Sequence, residues 1–112
     1  MNATSLPETY DLLRDLVIPL RRKGYQQLAI AIHLVTQDED LLRNVTKGLY
    51  PMVAELCHTT RFCVEHNIRT VITDCWEGGG KPYLEKIAKR ELDKKPTAVQ
   101  FIEIIAVHLM RR

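Results

Sequence analysis

Very little in this 112-residue chain would serve a membrane-bound, secreted or β-rich protein. No apolar run reaches the roughly 18 to 20 residues that a bilayer span needs, and no basic start leads into the apolar core of a signal peptide. A cytoplasmic protein without a membrane partner is expected. Cysteine is scarce. Cys57, Cys63 and Cys75 form an odd set without framework spacing, which suits free thiols in a reducing compartment rather than disulfides. Apolar and polar residues nowhere alternate with period two, and neither Asn-Gly nor Asp-Gly occurs to turn a hairpin. The fold class is therefore all-α.

Catalytic and metal-binding patterns are missing as well. Cys57, Cys63 and His66, with His58 nearby, are the one group that could coordinate zinc, yet paired Cys-x-x-Cys or Cys/His arms are absent. No metal is expected, and the domain should fold without metal or disulfide. Cys63 and His66 lie one helical turn apart, but a nucleophile also needs an oxyanion site and a cleft, and nothing in the sequence supplies either. An enzyme is not expected. Gly78-Gly79-Gly80 does not match a nucleotide-binding loop, which needs a lysine and a hydroxyl directly after the last glycine of a longer spacing, whereas Lys81 here is followed by Pro82. It reads as a turn or mobile loop that ends a helix, and no cofactor is expected. His33 and His108 sit in apolar stretches and read as half-buried packing residues.

The chain is rich, by contrast, in helical patterning. With 46% hydrophobic and 27% charged residues, it has material for one core and is too short for two domains, so residues 1–112 read as a single domain. Ser5-Leu6-Pro7-Glu8 is a capping-box pattern opening a helix from about Leu6 to Val17, which Pro19 stops. Tyr25, Leu28, Ala29, Ile32 and Val35 define a second helix of about a dozen residues. Thr36 with Glu39 reads as another capping box, opening a short helix through Leu41, Leu42 and Val45. Pro51 requires the next regular helix to begin near Tyr50 or to bend there, because proline is tolerated only in a first turn. Tyr83, Leu84, Ile87, Ala88 and Leu92 suggest a helix after Pro82. Thr97 with Gln100 caps a last one with the broad face Phe101, Ile102, Ile105, Ala106 and Leu109. The whole reads as a compact bundle of about six helices.

Residues 46–76 are the stretch around which the rest is organised, and they read as a helix-turn-helix. Val64, Ile68, Val71, Ile72 and Cys75 recur at the spacing that lines one helical face, with Trp76 closing it. Arg61, Glu65, His66, Arg69, Thr70 and Thr73 fall elsewhere and are of types that reach base edges or phosphates from the major groove. His58-Thr59-Thr60 supplies hydroxyls to cap that helix. The net charge of +2 makes the position of the cations decisive. They cluster at Arg21-Arg22-Lys23, between Lys81 and Lys95, and at Arg111-Arg112. The plain alternative is that these clusters are solvated surface.

With these residues in view, the chain resembles the DNA-binding effector domain of the sporulation initiation response regulator, the stage-zero sporulation protein A family. The likeness runs from about Val17 onward. It rests on Lys23-Gly24-Tyr25, Thr46-Lys47, Leu49-Tyr50-Pro51 with Ala54, Thr59-Thr60, Val64-Glu65, Ile68-Arg69 and Trp76, and continues through Lys95-Pro96-Thr97 and Phe101-Ile102. It implies a six-helix domain that binds double-stranded DNA through its recognition helix, touches RNA polymerase and regulates transcription. Two copies would pair in tandem on adjacent sites or as a homodimer through the C-terminal helix. The receiver domain that precedes the effector in that family is not in the sequence. Thr59, Thr60, Arg61, Phe62, Glu65, His66 and Arg69 are the expected DNA-binding residues. Phe62 and Cys63 stand where the family has serine and arginine, and His66 where it has a base-contacting arginine. Two readings result: a sequence-specific transcription factor, or a protein-interaction module that kept the fold and lost DNA affinity.

Overall fold

Six α-helices succeed one another in the computed structural model, which describes residues 6–111, and no strand occurs among the described residues. Ser5 of the first expected capping box lies outside them. Helix α1 spans Leu6–Asp15 and stops two residues short of the expected end. There the amides of Leu16 and Val17 reach back only three residues, to the Leu13 and Arg14 carbonyls at 3.1 Å each. Val17 then turns left-handed (φ 63°), which breaks the helix ahead of the restriction that Pro19 places on Ile18.

Helix α2, Lys23–Gln37, is longer than its apolar pattern suggested, and this overturns the Thr36 capping box. Thr36 is buried inside α2, and its hydroxyl donates to the His33 carbonyl at 2.6 Å. Asp38 is the cap instead, accepting from the Asp40 amide at 3.1 Å. It opens a five-residue 3-10 turn, Glu39–Arg43, in place of the expected short helix.

The chain then widens into a π-helical turn, Val45–Leu49, in which the Tyr50 amide donates to the Val45 carbonyl. Proline explains the position of this turn. In a continuous α-helix the Pro51 ring would press on the Lys47 carbonyl, and Pro51 has no amide to donate. A widened turn before it resolves both problems, so α3 begins at Tyr50, as expected. Helix α3 covers Tyr50–Leu56 and α4 covers Arg61–Glu77. The three glycines form a turn: the Gly78 amide caps α4 on the Asp74 carbonyl at 2.8 Å, and Gly79 has φ 104°. Gly80 sits where a Cβ would strike the Leu16 carbonyl.

Helix α5, Lys81–Ala88, is shorter than expected, because Lys89 turns left-handed (φ 61°). Leu92 therefore lies beyond α5. It is still buried, and its amide donates to Glu85 Oε2 at 2.7 Å. Helix α6, Ala98–Met110, opens with the full capping box of Thr97 and Gln100.

Helix α2 is the hub, packed against α1, α4 and α6. Its Leu28, Ala29, Ile32 and Val35 are fully buried with Leu13, Leu49, Val53, Ile68, Phe101, Ile102 and Ile105. Each large side chain of this set is worth about 1.5–3 kcal/mol in burial, whereas an exposed pair such as Arg14 and Asp11 contributes about 0–1 kcal/mol. Packing therefore decides where the helices lie. Tyr10 stacks on Tyr25 with ring centres 5.5 Å apart, and the Tyr25 hydroxyl donates to the Tyr10 carbonyl at 2.6 Å. His33 and His108 are half-buried, as the apolar setting of both implied. No helix among the described residues is long and apolar enough to cross a membrane.

Candidate nucleic-acid interface

Helix α3, a four-residue turn and α4 have the connectivity of a helix-turn-helix. His58 makes the turn with a left-handed backbone (φ 55°), and the Thr59 amide closes it on the Ala54 carbonyl at 2.9 Å. Thr60 then caps α4, its hydroxyl accepting from the Cys63 amide at 3.2 Å. Thr59 and Thr60 are thus engaged in shaping the turn.

From Arg61 onward α4 advances 100° per residue. Val64, Ile68, Val71, Ile72 and Cys75 form the buried stripe. Phe62, His66 and Thr73 run along the opposite ridge, with Arg69 on one side of it and Thr70 on the other. Phe62 is 68% exposed, and the Arg61 guanidinium lies 4.9 Å from its ring centre. Arg69 and Glu65 pair at 3.5 Å, both open to solvent. The Thr70 hydroxyl donates to the His66 carbonyl at 3.0 Å and the Thr73 hydroxyl to the Arg69 carbonyl at 3.1 Å. These two donors are therefore spent on the helix itself; the Thr70 oxygen remains to accept, while that of Thr73 already accepts from Lys95.

Grooves flank the ridge on both sides. On one side Arg21, Arg22 and Lys23, at the start of α2, face His66, Asn67 and Thr70 across a groove of about 300 Å³. On the other, Lys95 and Thr97 face Tyr50, Glu65 and Arg69 across a groove of about 420 Å³, and Lys95 Nζ donates to Thr73 Oγ1 at 2.9 Å. Arg22 is partly committed, with its Nε 2.9 Å from Asp74 Oδ2. Arg21 and Lys23 form no salt bridge among the described residues. Cys63 is exposed at the head of α4. Hydrogen bonding to the Thr60 hydroxyl, then to that of Thr59, holds its thiol below the ordinary value, and the Lys23 charge adds to the effect. Cys57 is half-buried and Cys75 buried, and no three of His, Cys, Asp or Glu among the described residues converge to hold a metal.

Of the expected residues, Phe62, His66 and Arg69 are exposed on or beside the ridge, whereas Arg61 and Glu65 lie nearer the buried stripe and are joined to it through the contacts of Arg61 with Phe62 and of Glu65 with Arg69. Lys95 was legible in the sequence as one cation of the Lys81 to Lys95 cluster and in the Lys95-Pro96-Thr97 likeness, and Arg21 to Lys23 as a basic knot, but what either of them neighbours was not. Asn67 carried no signal by residue type. The sole local hint of that flank was the small Gly24. The family described as "Sporulation initiation factor Spo0A C terminal" matches residues 9–109 of the chain. The chain belongs to that family, which is one of DNA-binding regulatory domains and not of enzymes.

Proposed function

We propose that this member of the sporulation initiation factor Spo0A C-terminal family regulates transcription by laying α4 in the major groove of double-stranded DNA. Phe62, His66 and Arg69 then face base edges, while Arg21, Lys23 and Lys95 meet the two flanking backbones. The observation that carries this reading is the exposed ridge of α4 lying between two grooves that each bring cations to its side. A major groove about 12 Å wide admits one helix, and the phosphate rows on either side need positive partners. Arg61 is the remaining cation at the head of α4, and its contact with Phe62 keeps it on the same surface. Contact with RNA polymerase and pairing of two copies on adjacent sites belong to the same reading.

A second reading has one observation in its favour. Phe62, like Leu56 and Met52 of α3, which are 58% and 42% exposed, is an apolar side chain open to solvent, and such side chains also suit a protein partner. Selection of bound duplexes from a random pool separates the two. Enrichment of one sequence, with affinity that falls as salt rises, is the expected result. A pool that stays random after repeated rounds overturns the DNA reading and leaves the protein-interaction module.

A further inference from the structure

The contact of α2 with α4 carries more than packing. Gln27 is a polar residue in the core, only 6% exposed, and its Oε1 accepts from Asn67 Nδ2 at 3.1 Å. Solvent cannot replace that partner, because a group so deeply buried must find its hydrogen bond inside the protein. One turn earlier on α2, a Cβ on Gly24 would strike the Asn67 carbonyl and come within 2.8 Å of Val71 Cγ1, so only glycine lets the helices approach this closely. Two residues before Gly24, Arg22 reaches Asp74 at 2.9 Å. The start of α2 is thus tied to α4 at three levels along the recognition helix. Arg21 and Lys23, which form no salt bridge among the described residues, sit in the same short segment.

We propose that Gln27 and Asn67 are positioning residues whose amide pair sets the register between the phosphate contacts at Arg21 and Lys23 and the base-reading ridge of α4. The inference rests on the DNA-binding reading. Neither amide touches DNA in this role. Attraction of cations to phosphates is long-range and tolerant of small displacements, whereas a hydrogen bond to a base edge needs its donor within about 2.7–3.2 Å at the right angle. A loosened tie would therefore leave affinity for DNA in general and lose discrimination between sequences.

Gln27→Leu tests this directly, since leucine fills the buried site and the Asn67 amide can turn to solvent. Asn67→Ala is the partner variant. The double exchange Gln27→Asn with Asn67→Gln rebuilds an amide pair of the same total length. Dissociation constants are measured by fluorescence anisotropy for the selected duplex and a scrambled one over a series of salt concentrations, with thermal unfolding of each variant alongside. The ratio of the two constants is expected to fall about tenfold in each single variant, the equivalent of one good base contact. The scrambled-duplex affinity and the salt slope should stay unchanged, and the exchange should restore the ratio. A folded single variant with undiminished discrimination overturns the proposal, and so does equal weakening on both duplexes with a flatter slope, because Asn67 would then be a phosphate contact. If a single variant fails to fold, the exchange decides: discrimination at the unmodified level supports the register role, and its loss in a folded protein overturns it. An unmodified domain with no preference between duplexes would sink the DNA-binding reading itself, a result distinct from either.

Discussion

His66 occupies the middle of the exposed ridge of α4, and an imidazole there limits what the helix can read. An arginine in that place offers two parallel donors to guanine, worth about 1–3 kcal/mol of discrimination. Imidazole cannot form that fork, and Cys63 contributes no arginine charge nearby. The unmodified domain is therefore expected to bind a site used by other members of the family at least about tenfold more weakly than they do, a loss of about 1.4 kcal/mol. His66→Arg, alone or with Cys63→Arg, should recover affinity for that site selectively in gel-shift titration. Unchanged affinity would mean that α4 docks by another face. Cys75, on the buried side of the same helix, answers to pH. Burial pushes its thiol from the ordinary 9.0 up to about 12. The unfolded thiol loses its proton near pH 9 while the folded one keeps it, so the folded state binds more protons between those values. The contribution to stability is whole below pH 9 and is lost as pH rises toward 12, by about 1.4 kcal/mol per pH unit at most. Urea unfolding at pH 8 and pH 10.5 should show a drop of about 1–2 kcal/mol, shallower in Cys75→Ala. A drop just as steep without the thiol would assign it to Cys57 or the tyrosines, since burial also raises Cys57, Tyr10, Tyr25 and Tyr50.

At the scale of the element, the start of α4 depends on one hydroxyl. Thr60 accepts from the Cys63 amide, and no other side-chain cap serves that end of the helix. Thr60→Ala should destabilise the domain by about 1 kcal/mol. It should also free the Cys63 amide to exchange, whereas amides near Ile68 keep their protection, and Thr60→Ser should behave like the unmodified protein. Unaltered exchange at Cys63 would show that the cap is redundant. Helix ends elsewhere divide by the kind of signal they carry. Thr97 with Gln100 and the Pro51 boundary were legible, because a capping box and a proline act within one turn of chain. The ends at Asp15 and Ala88 were not, because a residue other than glycine takes the left-handed turn at each, Val17 and Lys89. The Thr36 capping box misled for a related reason. Threonine can cap a helix or bond back within one, and the core that buries Thr36 chose the second.

For the whole molecule, the decisive property is where a charge of only +2 is concentrated. Arg21→Ala, Lys23→Ala and Lys95→Ala should each weaken binding to selected and scrambled duplexes alike. Each should flatten the slope of log K against log salt by about 0.9, the release expected for one phosphate contact. Loss of discrimination at a single base pair would instead make that residue a base reader.

Local chemistry along the chain was enough to specify the all-α class, the buried stripe of α4, the turn at His58 to Thr60 and the residues of the exposed ridge. Helical period, caps and proline are local, and each can be read within a few residues. What flanks that ridge depends instead on contacts between distant parts of the chain. Gly24 and Asn67 are 43 positions apart and Thr73 and Lys95 are 22 apart, and nothing local to either partner specifies the meeting. The core brings them together, because burying the apolar face of α2 against α4 and α6 fixes where the polar edges of those helices must lie.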